Sequence, residues 1–153
     1  MNWLWISGWA VPPAWFAAQA RSCWPGIHHH AVAVTEAETA FADGHFDALG
    51  AYSLGTLWLL RHAAAVPDGV PVFLFAPTFA FPAEEKLGGR IPRAQLRAQL
   101  RRLHHNPVDS LLAFARLSGL ASLNIPAPED ELSAAHLAAL DLGLRWLDEW
   151  SSP

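Results

Sequence analysis

Over the first 76 residues, short apolar runs alternate with stretches of helical spacing. Trp3–Ser7 is a continuous apolar run of strand character, ended by Gly8. Pro13–Cys23 follows a Pro-Pro start and carries Trp15, Phe16, Gln19 and Ala20 at helical spacing, with proline suited to a first helical turn. His30–Val34 reads as a short strand rich in valine. Thr35–Ala42 reads as a brief helix with Thr35 as N-cap and Glu38 three residues on, a capping box, stopping at Asp43-Gly44. Phe46–Tyr52 predicts a third strand, Leu54–Ala65 a helix, and Val70–Ala76 a fourth apolar strand. Apolar strands separated by helices predict a parallel sheet covered by helices, here about four strands in the order 2-1-3-4.

After residue 77 the strand pattern disappears. Pro92–His105 places Leu96, Leu100 and Leu103 on one face and Arg93, Arg97 and Arg101 on another, and Asn106-Pro107 ends it. Val108–Ser118 predicts a second helix, with Leu111, Leu112 and Ala115 inward and Gly119 as its stop. Ala121–Ala127 reads as a linker. Pro128-Glu129-Asp130-Glu131 then opens a third helix, acids at its positive end, with Leu132, His136, Leu140, Leu144 and Leu147 as an apolar stripe reaching Trp150. The expected organisation is an α/β core over 1–77 and a helical region over 78–153.

Composition agrees with one globular core: 153 residues, 52% apolar and 16% charged. The single Cys23 excludes an intrachain disulfide framework and a four-cysteine zinc site, and with only Arg21 nearby it is not expected to be a reactive thiolate. No apolar run approaches the ~18 residues of a membrane span. The first basic residue is Arg21 and Pro12-Pro13 interrupts the N-terminal apolar stretch, which argues against a signal peptide. The expectation is a soluble, cytoplasmic protein with no membrane partner. A net charge of −4 gives no hint of nucleic acid. Yet residues 86–116 hold Lys86, Arg90, Arg93, Arg97, Arg101, Arg102 and Arg116 against one acid, Asp109. Such a segment on an acidic body suggests a docking face for an anionic partner, with a plain solvated helix face as the ordinary alternative.

Candidate chemistry sits in Ala51-Tyr52-Ser53-Leu54-Gly55, where a predicted strand becomes a predicted helix. A serine on a sharp strand-to-helix turn needs small residues two before and two after it, and Ala51 and Gly55 meet that need. Ser7-Gly8-Trp9-Ala10 ends the first strand. With the first and third strands adjacent, the loops after both open on the switch-point crevice. There the Trp9 and Leu54 N–H groups would form an oxyanion hole.

These residues resemble the α/β-hydrolase superfamily. Within it the chain is similar to the esterases that demethylate pimeloyl-acyl-carrier-protein methyl ester in biotin synthesis. The matches are Gly8-Trp9 for the oxyanion loop, Tyr52-Ser53-Leu54-Gly55 for the nucleophile elbow, and Ala76-Pro77 leading into a cap-like region. The resemblance implies Ser53 as nucleophile, Trp9 and Leu54 as oxyanion donors, and Trp9, Leu96 and Leu100 as acyl-pocket residues. It also implies Arg90, Arg93, Arg97 and Arg101 as a dock for an acidic acyl-carrier protein, and it calls for no cofactor and no metal. It departs at the end, because the sequence stops at Pro153 before any counterpart of the strands that carry the superfamily's acid and histidine.

Other histidines are therefore weighed as the base. His28-His29-His30 reads as a loop entering the sheet, His45 and His62 as turn and helix-end residues, and His104-His105 as cations at a helix C-terminus. His136, by its stripe position a core or interface histidine, is the best internal candidate base, with Asp141 or Asp109 as orienter. The reading that rivals an esterase is a catalytically incomplete relative that binds an acyl group or a carrier protein. A sheet ending at Val70–Ala76 leaves an apolar edge, so a homo-oligomer or a second chain is expected to cover it.

Overall fold

Four strands, Asn2–Ile6 (β1), His28–Val32 (β2), Ala48–Tyr52 (β3) and Val72–Phe75 (β4), form one parallel sheet in the order β2-β1-β3-β4. The helices are Pro13–Cys23 (α1), Ala37–Ala42 (α2), Leu54–Arg61 (α3), Arg93–His105 (α4), Pro107–Leu117 (α5) and Ala134–Glu149 (α6). This computed structural model describes residues 1–123, 125, 126 and 132–151. Its two compact units are Met1–Phe79 with Ser151, and Ala80–Trp150. The chain is thus of the α/β class with the sheet order the sequence predicts.

In the first unit the period of two sorts the side chains. Register pairs Trp3 with His29 and Ala48, and Trp5 with Ala31 and Gly50. That face carries Trp3, Trp5, His29, Phe73 and Phe75, and α1 packs Phe16 and Ala20 against it. Leu4, Ile6, Leu49 and Ala51 lie on the opposite face, where α3 buries Leu54, Leu57 and Trp58. At the end of α3, Arg61 donates to the Ser151 carbonyl at 2.8 Å.

Two local expectations shift. β2 begins at His28 instead of His30, because His29 is a satisfied core histidine and no loop residue. Its Nδ1 accepts from Trp5 Nε1–H at 2.9 Å, and its Nε2–H donates to the Trp24 carbonyl at 3.0 Å. Thr35 is not the N-cap of the helix that follows, and no capping box forms on it. A 3-10 turn spans Val34–Glu36, and the Glu36 carboxylate accepts from the Ala33 N–H at 3.2 Å.

In the second unit α4 packs against both α5 and α6, burying Leu96 and Leu103 with Leu111, Leu140, Leu144 and Leu147. Gln99 donates to the carbonyl and hydroxyl of buried Ser110 at 2.8 and 3.0 Å, so this polar contact is fully paired. Asn106 caps α5 by accepting from the Asp109 N–H at 3.1 Å. A 3-10 turn over Leu120–Leu123 takes part of the expected linker. Pro128–Glu131, expected to open the third helix, lies outside the described residues. The helix described starts at Ala134, capped by Ser133. His136 therefore falls in its first turn and is exposed, off the buried stripe of Leu140, Gly143, Leu144 and Leu147.

Candidate functional site

Ser53 stands at the junction of β3 and α3 with φ 52° and ψ −114°, a backbone conformation costly for any residue with a Cβ, by about 1–3 kcal/mol. Its surroundings hold it there. The Ser53 N–H donates to the Phe75 carbonyl at 3.0 Å. Its carbonyl accepts from the Thr56 N–H at 2.9 Å and the Thr56 hydroxyl at 2.6 Å. A serine at a helix N-cap ordinarily turns its hydroxyl back onto the first-turn amides. Ser53 makes no such bond. Among the described residues its half-buried hydroxyl has no hydrogen-bond partner, so it is left for something else.

Close approach explains the small residues around it. A Cβ on Gly55 would overlap the Ile6 carbonyl oxygen and come within 2.9 Å of the Ser7 carbonyl, so α3 can start directly against the end of β1 only with glycine there. A Cβ on Gly8 would lie 2.8 Å from the Tyr52 ring and 3.2 Å from Ser53 Cβ. The loop after β1 therefore rests against the serine. Its turn is closed by the Val11 N–H donating to the Gly8 carbonyl at 3.3 Å, with Ala10 as the left-handed residue at φ 58°. Gly8 is needed for space, and Ala10 carries the unusual dihedral. Burial of the Tyr52 ring pushes its phenol pKa up from the ordinary tyrosine value.

A second left-handed alanine, Ala76 at φ 50°, follows β4 directly. Among the described residues, three of the four non-glycine residues with positive φ thus follow the C-terminal ends of β1, β3 and β4. In an open parallel sheet that end is where ligands bind. Strain of this kind concentrates at functional sites. The fold brings together Ser53, Leu54 and the Gly8-Trp9 turn, and Trp9 is buried. The Leu54 N–H is one of the α3 amides that a helix leaves without an internal acceptor.

The remaining predicted site residues belong to the second unit. Leu96 is buried and Leu100 half-buried. Arg93 forms ion pairs with Glu85 and Asp148, and these carboxylates hold its guanidinium pKa up. Arg97 pairs with Asp148 at 3.3 Å and Arg102 with Asp109 at 3.6 Å. Arg90 and Arg101 are exposed, and among the described residues neither pairs with a carboxylate. Asp141, weighed above as an orienter for His136, instead accepts from Arg145 and from His104. Those two bonds, Arg145's first, hold its carboxyl below the ordinary aspartate range.

Among the described residues no group of three or more His, Cys, Asp and Glu is arranged to hold a metal, and no helix is long and apolar enough to cross a membrane. Comparison with protein-family models and with curated proteins finds no match for the chain.

Proposed function

We propose that the chain is a serine ester hydrolase of the α/β-hydrolase type, acting in the cytoplasm on an acyl ester. The observation that carries the reading is the Ser53 hydroxyl, placed on a strained strand-to-helix turn and left free of its ordinary capping bond. In this reading Ser53 Oγ attacks the ester carbonyl carbon and its proton passes to a base. The carbonyl electron pair moves onto oxygen, which the Trp9 and Leu54 N–H groups stabilise. Collapse breaks the carbon–oxygen bond to the alcohol, which leaves with a proton. Water then cleaves the acyl-serine, releasing a carboxylic acid and restoring Ser53. The substrate that the resemblance implies is the methyl ester of pimeloyl-acyl-carrier protein, with the carrier's acidic surface drawn to Arg90 and to Arg97 and Arg101 of α4.

One observation favours a second reading, an acyl- or carrier-binding module without turnover. The Ser53 hydroxyl has no base bonded to it among the described residues, and Asp141 is committed to Arg145 and His104. Turnover of methyl esters of medium-chain acids by the purified chain separates the two. Hydrolysis abolished in Ser53→Ala supports the esterase. Saturable binding of the same esters without product supports the binding module and refutes the esterase.

A further inference from the structure

Two side-chain polar atoms among the described residues are buried without a hydrogen-bond partner, Trp3 Nε1 and Ser7 Oγ. Trp3 has an aromatic explanation. Its ring stacks on Phe73 at 5.1 Å and meets His29 edge-on at 5.7 Å, so aromatic packing fixes the ring in place.

Ser7 has none. It is 1% exposed and directly follows β1, and its backbone is held by its N–H bond to the Val32 carbonyl at 3.0 Å. Its carbonyl faces the start of α3 at Gly55, and the next residue, Gly8, borders Tyr52 and Ser53 Cβ. A hydroxyl folded into the interior without a partner is costly, and such groups in folded proteins are few. Alanine would fill nearly the same space without that cost. The orphaned hydroxyl therefore stands one residue from the surface that touches Ser53, at the sheet end where the strained residues gather.

We propose that the Ser7 hydroxyl is a further polar member of the Ser53 site and donates a hydrogen bond to an oxygen of the bound acyl ester. The proposal rests on the acyl-ester reading above. A serine hydroxyl rotates about its Cβ–Oγ bond, so it can follow an oxygen as charge develops on it. In a site shielded from water such a donor counts for more than at the surface. An ordered water offers the same acceptor chemistry, and stability tells the two apart. A hydroxyl held for a substrate costs the unliganded protein stability, whereas one bonded to a structural water contributes to it.

The test uses the full chain with Ser7→Ala and Ser7→Thr, a fluorophosphonate probe and its thiono analogue, whose sulfur accepts hydrogen bonds poorly. Ser7→Ala should unfold at the same temperature as the wild type or higher, yet react about tenfold more slowly with the oxo probe, the worth of one hydrogen bond. The loss should nearly vanish with the thiono probe, and Ser7→Thr should keep most of the oxo rate. Equal oxo rates for wild type and Ser7→Ala, or equal losses with both probes, would overturn the proposal. So would a lowered unfolding temperature with unchanged rate, the mark of a structural water. Failure of the acyl-ester reading shows separately, as absent labelling of the wild type, and both then fall.

Discussion

At the scale of single residues, Ser53 is held in a conformation that only glycine adopts without cost, by bonds from Phe75 and Thr56 on its two sides. Relief of that strain predicts that Ser53→Gly stabilises the chain by about 1 kcal/mol in urea unfolding while removing the hydroxyl proposed as nucleophile. Gly55→Ala should do the reverse. Its methyl would meet the Ile6 carbonyl, costing about 1–3 kcal/mol, and unchanged stability would refute the close packing of α3 on β1. Ser53 was legible in the sequence because small residues flank it where an apolar run gives way to helical spacing. Ala10 and Ala76 were not, because a left-handed alanine carries no mark in the sequence and a glycine does. Ser7 was read only as the end of the first strand and the start of the turn after it. Its unpaired burial depends on the strands and helices that fold around it, which no local pattern reports.

At the scale of elements, apolar runs located all four strands and helical spacing located the helices, since burial on both faces or on one stripe leaves a direct periodicity. Termini were less legible. β2 reaches back to His28, with His29 held by Trp5, 24 residues before it, and by the Trp24 carbonyl. The basic face of α4 was legible as charge, but its pairing was not, since Glu85 and Asp148 approach through tertiary structure. The pairing divides the arginines by consequence. Arg93→Ala should lower the unfolding midpoint of the helical unit, whereas Arg101→Ala should leave it unchanged. If α4 docks an acidic carrier, Arg101→Glu should weaken carrier binding, and rising salt should weaken it further. Binding indifferent to both would leave α4 as a solvated face. Asp141 contributes a pH dependence. Its folded carboxyl sits below the unfolded value, so its stabilising effect is full above about pH 4 and fades as pH falls through the folded value. Asp141→Asn should flatten that acid limb of the stability profile. An unchanged limb would mean that other carboxylates set it.

At the scale of the whole chain, no strand among the described residues pairs with the outer edge of β4, and Val72, Phe73 and Phe75 are 41%, 37% and 41% exposed. An open apolar edge favours pairing with another strand. Association is therefore expected, through a second copy or a second chain, and Phe73→Lys should shift it toward monomer. A sedimenting species of 16.7 kDa at high concentration, with slow exchange of the β4 amides, would refute it.

The account turns on whether Ser53 is a poised nucleophile, and covalent labelling reads that directly. Wild-type chain incubated with a fluorophosphonate should gain one phosphonyl group by intact mass, mapped by peptide sequencing to Ser53 and lost in Ser53→Ala. No adduct on the folded wild-type chain, or an adduct that persists in Ser53→Ala, would contradict the account.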